Sequence, residues 1–312
     1  MSKRIFCLIY DGFDLLDIAG PLAAFEICSY LRPPGYRTVY VTPQAGPVTS
    51  GGGARLLGER LPDSNEPFTL LIPGGFGGYD VKAVTPLLNF VRATVDAGQR
   101  VMAVGSGVRI LAMTGVLDGR NVVGHWASAD RLAADYPAVT VDKEHLYLRD
   151  GNIWTSAGVS AGTDVALAVV EQDYGSALAR ETARVLVLSL HRSGHQRQRS
   201  PILELRSRSD RFGALLVWAR ERLEEPLPVE RLAGQASLSI RHFTRAFTAA
   251  VGVAPAKAIE QLRVDAATDA IESGLSLDDA ARLAGFGSAG RMRRSFRRIL
   301  GTSPRESRRP AR

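Results

Sequence analysis

Through the first part of the chain, short apolar runs rich in β-branched residues alternate with stretches whose apolar positions return every three or four residues. The runs at 4–10, 36–42, 70–73 and 100–104 predict buried strands, and the periodic stretches near 21–31, 84–97 and 107–114 predict helices between or after them. Such alternation builds a flavodoxin-like α/β domain, a mainly parallel sheet with helices on both faces. A hairpin-like excursion follows at 139–142 and 146–148, with a turn at Asp150-Gly151, and then helices over 160–174 and 176–190. Residues 192–201 are polar, basic and aperiodic, which is the pattern of a linker. From 211 onward the periodicity is helical throughout. The expected domains are therefore 1–191, a basic linker at 192–210, and an all-α domain at 211–312.

The helical part repeats itself. Ser239, Phe243, Arg245, Phe247, Gly252 and Pro255 recur 49 residues later as Ser288, Met292, Arg294, Phe296, Gly301 and Pro304. A Leu-Ala-Gly tripeptide precedes each copy at an offset of 51, which predicts a turn two residues shorter in the second. Each copy reads as helix, turn, helix. Val229, Leu232 and Ala233 make one apolar face and Ile240, Phe243 and Phe247 the next; Leu277, Ala280, Ala281 and Ala284 are followed in the same way by Met292, Phe296 and Leu300. Ser239 and Ser288 are placed as N-caps. The residues left outside are Arg241, His242, Thr244 and Arg245 in one copy, and Arg291, Arg293, Arg294, Arg297 and Arg298 in the other.

A helix presented in this way fits the DNA major groove, and arginine's fork matches the O6/N7 edge of guanine or grips phosphate. The helix joining the copies, 255–273, would span about 27 Å, comparable with the roughly 34 Å between successive major-groove faces. Two heads can thus reach neighbouring turns of one duplex face. The charge distribution supports this. Residues 1–191 carry 16 Lys/Arg against 19 Asp/Glu, whereas residues 192–312 carry 23 against 13, so the net +7 of the chain belongs to its second part. The alternative is an interaction domain with a solvated basic face.

Composition excludes several classes. No apolar run is long enough for a membrane span, and the run at 5–10 is too short for a leader's core, so a cytoplasmic protein with no membrane partner is expected. Cys7 and Cys28 fall in a predicted strand and a predicted helix, without metal-ligand spacing, and read as small buried hydrophobes. Neither a metal nor a cofactor is expected.

From about 212 to 309 the chain resembles the AraC/XylS DNA-binding domain, through Gly285-Phe286-Gly287-Ser288, Phe296 and the Gly301 to Pro304 spacing. The resemblance implies that Arg241, Thr244 and Arg245 face bases or backbone in the first head and Gly290, Arg291 and Arg294 in the second; many relatives carry a larger polar residue at the Gly290 position. With the caps Ser239 and Ser288 and with His242, these make the expected DNA-binding set.

In the first domain the strand at 101–104 runs straight into Gly105-Ser106-Gly107 and a helix. Such a tight strand-to-helix turn is the setting of nucleophile elbows. This turn, the stretch from Gly119 to His125-Trp126, the segment from Asp11 to Pro21, the loop Pro73-Gly74-Gly75-Phe76 and the run from Thr155 to Asp164 resemble the PfpI-like branch of the class I glutamine amidotransferase superfamily. Those enzymes carry cysteine at the apex with an acid and often a histidine nearby. The match places Gly105 at the cysteine, Asp17 at the acid and His125 at the histidine. Ser106 lies one residue past the apex and lacks the Gly-x-Ser-x-Gly frame, having Val104 and Val108 where glycines belong. No activated nucleophile is left, so no enzyme is expected.

The surviving groups suit binding. Backbone N–H groups around Gly74, Gly75 and Ser106 can hold an anion, Asp17 can pair with an ammonium or guanidinium, and Trp126 or Phe76 can wall a cation. Each has a structural alternative: Asp17 as a cap of the helix near Pro21, His125 and Trp126 as satisfied core residues, Phe76 as loop packing. The two domains together resemble the GlxA type of AraC/XylS regulators. That resemblance implies a small nitrogenous effector; double-stranded DNA, a second copy of the chain (a homodimer) and RNA polymerase are the other expected partners. The competing readings are a DNA-tethered amidase or hydratase, and a regulator whose first domain only dimerises.

Overall fold

The computed structural model describes residues 2–63, 66–75, 85–188, 192, 194, 198, 210–272, 274–301 and 303–304. They fall into two units, Met1–Gln198 and Arg199–Pro310. The first is a doubly wound α/β unit. Strands β1 (Lys3–Leu8), β2 (Tyr36–Thr42), β5 (Phe68–Ile72), β6 (Arg100–Val104) and β10 (Ile153–Ser156) run parallel in the order β2-β1-β5-β6-β10. The hairpin of β3 (Gly46–Thr49) and β4 (Arg55–Arg60) extends one edge, and antiparallel β9 (Tyr147–Asp150) closes the other. A separate parallel pair joins β7 (Asn121–Val123) to β8 (Thr140–Asp142). Helix α1 (Leu15–Leu31) packs on α5 (Ala161–Tyr174) and α6 (Ser176–Val185), and α2 (Thr85–Asp96) packs on α3 (Gly107–Met113); α4 (Ala129–Asp135) packs on β8. All five residues of β5 are buried, as a strand covered on both faces requires.

Several local expectations change. Helix α1 starts six residues before Pro21: Asp14 is its N-cap, accepting from Leu16 N–H at 3.0 Å, and Pro21 sits buried inside the helix. Asp17 is therefore no cap. Strand β10 was not legible as a strand because it is short and carries two hydroxyls; Thr155 is satisfied sideways, accepting from Val123 N–H at 2.8 Å. The β3–β4 hairpin was also unforeseen. Residues 192–198 were expected in the linker, yet Arg192, Gly194 and Gln198 belong to the first unit. Arg192 pairs with Asp164, the Gly194 carbonyl accepts from Leu146 N–H at 3.0 Å, and Gln198 bridges Trp126, Gly124 and His145. The polar side chains of Arg192 and Gln198 read as linker because their partners are polar groups distant in sequence.

Among the described residues, the second unit is built of helices and turns. Helix α7 (Asp210–Arg220) leads into α8 (Val229–Gln235) and α9 (Ile240–Val251); α10 (Pro255–Glu272) then leads to α11 (Leu277–Leu283) and α12 (Ala289–Leu300). There are two small cores. Phe212, Phe243 and Phe247 pack edge-on or tilted against one another in the first, with centroids 5.3–6.0 Å apart, and Met292 and Phe296 fill the second. Helix α10 serves both: Ala258, Ile259 and Leu262 belong to the first core, and Val264, Ala267 and Ile271 to the second.

Candidate functional site

In the first unit, four parallel strands bring part of the expected pocket set, Asp17, Gly75, Gly105 and Ser106, to one sheet edge. The segment after β1 brings Asp17, that after β5 brings Gly74 and Gly75, that after β6 brings Gly105 and Ser106, and that after β10 brings Gly158 and Val159. This is the carboxyl edge, and β1 lies between β2 and β5, where the strand order reverses.

Asp17 is the centre of this cluster. It is 3% exposed, and its two oxygens accept from Gly74 N–H at 2.9 Å and from Val159 N–H at 2.6 Å. Burial pushes its carboxyl up to about 6, against the lowering effect of those two bonds. Gly105 has φ +57, and a Cβ built there would lie 2.9 Å from Asp17 Oδ2 and 3.2 Å from Gly158 Cα. The volume a cysteine side chain would enter is thus already bounded by Asp17's carboxylate. Gly158 approaches equally closely; its own Cβ would fall 2.6 Å from Gly105 Cα.

The expected anion cradle is engaged from within. Gly74 N–H is taken by Asp17, and Gly75 N–H donates to Ser106 Oγ at 2.9 Å. Ser106 is thereby a bracket for the β5 loop. The Tyr10 hydroxyl, not foreseen in the sequence, donates to Pro73 O at 2.7 Å and fixes the same loop from β1's end. Gly158 and Val159 were foreseen only as part of a family-like run; their contact with Asp17 depends on β10.

His125 and Trp126 are placed together, with ring centroids 5.4 Å apart, in the loop after β7. His125 Nδ1 accepts from Ala127 N–H at 3.2 Å, and burial lowers its pKa, favouring neutral imidazole. Trp126 is 45% exposed, which removes the core alternative for it. Phe76 lies outside the described residues. Cys7 and Cys28 are buried free thiols, in β1 and α1, and burial pushes Cys28 up to about 11. Neither lies at the apex that Gly105 occupies.

The second unit presents its two heads as the repeat predicts. Ser239 accepts from His242 N–H and Ser288 from Arg291 N–H, each at 3.4 Å, and Gly252 and Gly301 end the helices in the left-handed region. Arg241, His242 and Arg245 are exposed on α9, with Thr244 half-buried; Gly290, Arg291 and Arg294 are exposed on α12. A Cβ at Gly290 would meet nothing nearer than 4.0 Å, so no packing demands glycine there.

One expectation about the turns is corrected. The turns run from 236 to 239 and from 284 to 288, so the second is longer, not shorter. The two Leu-Ala-Gly tripeptides are not equivalent: Leu232 and Ala233 are buried in α8, where Ala280 and Ala281 are their counterparts, while Leu283 is exposed at the end of α11. Gly285 falls in the turn instead, with φ +70, and a side chain there would overlap the carbonyl oxygen of Leu223. Glu260 of α10 accepts from Ser295 Oγ at 2.5 Å and pairs with Arg298, locking α12 to the shared helix. Of the outward arginines, Arg298 is therefore committed internally.

A DJ-1/PfpI family model matches residues 3–172 and a helix-turn-helix domain model matches residues 232–310. The chain is 27% identical over 99% of its length to the HTH-type transcriptional regulator CdhR of Pseudomonas aeruginosa, covering 92% of it. It is 26% identical over 98% of its length to the HTH-type transcriptional regulator GlxA of Rhizobium meliloti, covering 96% of it. Isonitrile hydratase of Pseudomonas putida is 29% identical over 61% of this chain and 78% of the enzyme. The likeness to regulators thus runs the length of the chain, and the likeness to the enzyme does not. Among the described residues, no helix is long and apolar enough to cross a membrane.

Proposed function

The chain belongs to the DJ-1/PfpI family, and we propose that it is a DNA-binding transcription regulator whose PfpI-like unit senses a small cationic or zwitterionic nitrogen compound without altering it. The observation that carries the regulator reading is the pair of serine-capped helices, α9 and α12, each turning arginines outward from a phenylalanine-filled core. Exposed arginines at successive turns of such a helix supply phosphate contacts and guanine-edge forks. Helix α10, built into both cores, fixes the spacing of the two heads.

The sensing reading rests on Asp17. A buried carboxylate held by two N–H groups retains lone pairs for a cationic partner, and Trp126 offers an aromatic face to a cation. The unit performs no covalent catalysis, because Gly105 offers no side chain and Ser106 is spent on Gly75. The effector acts on a homodimer and alters how the heads engage repeated half-sites and RNA polymerase. A thermal-shift screen of amino acids and quaternary amines tests the sensing half. Stabilisation that disappears in Asp17→Ala is expected; turnover of amides or isocyanides that requires Ser106 or Asp17 would replace this reading with an enzymatic one.

A further inference from the structure

Asp17 is joined to the segment that ends the first unit by a short chain of bonds. Its Oδ1 takes Val159 N–H at 2.6 Å. Val159 has φ +50, a conformation unfavourable for a β-branched residue, and it is 43% exposed, so side-chain packing does little to hold it there. The next residue, Ser160, is the N-cap position of α5, and its hydroxyl accepts from Arg192 Nη2 at 2.9 Å. The same guanidinium grips Asp164, buried in the first turn of α5, through Nη2 at 2.6 Å and Nε at 3.1 Å, and the Arg192 N–H donates to Asp164 Oδ1 at 3.1 Å. Arg192 thus holds the loop that Asp17 contacts, seven residues past the end of α6 and six before the first unit ends at Gln198. A second anchor, Gln198, donates through N–H to Glu144 O at 2.8 Å and through Nε2 to Gly124 O and His145 O, away from this chain of bonds.

We propose that the contacts Asp17–Val159–Ser160/Asp164–Arg192 couple the pocket to the segment that ends the first unit: a cation that takes Asp17's carboxylate frees Val159 to relax, shifts the first turn of α5 and loosens Arg192. The inference rests on the regulator reading, and it names the route by which that regulator is switched. Two arrangements of one loop, biased from both ends, are what such coupling requires.

Amide hydrogen exchange of the full-length chain tests it without any effector. The readouts are the N–H groups of Val159 and Arg192, with Ile9, which donates to Val41 O in the sheet core, as a control for global stability. Asp17→Ala is expected to speed exchange at Arg192 at least tenfold and to leave Ile9 within twofold. Arg192→Gln is expected to speed exchange at Val159, and it decides the matter if Asp17→Ala does not fold. Acceleration at Val159 alone in Asp17→Ala, an Arg192→Gln that leaves Val159 unchanged, or equal acceleration at Ile9 would overturn the proposal. Failure of the wild-type chain to bind DNA would instead remove the regulator reading while leaving the exchange pattern as expected.

Discussion

Restoring a sulfur at the elbow is the sharpest perturbation of the pocket. In Gly105→Cys the new Cβ enters 2.9 Å from Asp17 Oδ2 and 3.2 Å from Gly158 Cα, at a residue whose φ is +57. The left-handed conformation costs a non-glycine residue about 1–2 kcal/mol. Forcing the crowded atoms apart costs about 1–3 kcal/mol more, because Asp17 is held by two hydrogen bonds and Gly158 meets the site with backbone. A total of about 2–5 kcal/mol corresponds to a fall of roughly 4–20 °C in the melting of the first unit. Gly105→Ala carries the same Cβ without the sulfur, so thermal unfolding of both variants should show the same loss, and incubation of Gly105→Cys with amides, isocyanides or aldehydes should show no turnover. A Gly105→Ala variant melting with the wild type would mean that the site has room and that Asp17 does not fill it. Turnover by Gly105→Cys would mean that one missing sulfur was all that separated this unit from an enzyme.

Arg245→Ala and Arg294→Ala are each expected to weaken specific DNA binding by about 1–3 kcal/mol; equal losses on random and specific duplexes in a titration would show that they touch phosphate alone. Gly285→Ala drives a methyl into the Leu223 carbonyl at φ +70, so a loss of about 3 kcal/mol or more is expected in the second head. Wild-type melting there would contradict that packing. For Asp17 the folded-state carboxyl lies at about 6, above its unfolded value of 3.8. The folded state therefore binds the proton more tightly, and this contribution is full below 3.8 and lost as pH rises through 6, by about 3 kcal/mol in all. Asp17→Ala should flatten the fall in melting temperature over that interval; an unchanged profile would place the ionisation elsewhere.

The helical half was legible because its signals are local and repeated. Ser239 and Ser288 cap, Phe243 and Phe296 fill, and the arginines are left outside by the same periodicity. What misled was a three-residue match, Leu-Ala-Gly, that ignored which residues each copy buries. In the other unit, β5 and β6 declared themselves as continuous apolar runs, whereas β10 hid the Thr155 hydroxyl in a bond to β7. That matters for the site, since Gly158 and Val159 reach Asp17 only through β10. Gly105 as an empty apex could be read directly. That Asp17 fills the space beside it could not, because the fact belongs to four loops that are distant in sequence. Arg192 looked like solvent-exposed linker for a related reason: its partner Asp164 is buried 28 residues away.

The central claim, that this is a two-headed DNA reader carrying a pocket without a nucleophile, is tested most directly by selecting duplexes from a randomised pool with the purified full-length chain. The account predicts enrichment of two short motifs about one helical turn apart, with the first lost in Arg245→Ala and the second in Arg294→Ala. Recovery of duplexes with no shared motif, bound equally by wild type and both variants, would contradict it.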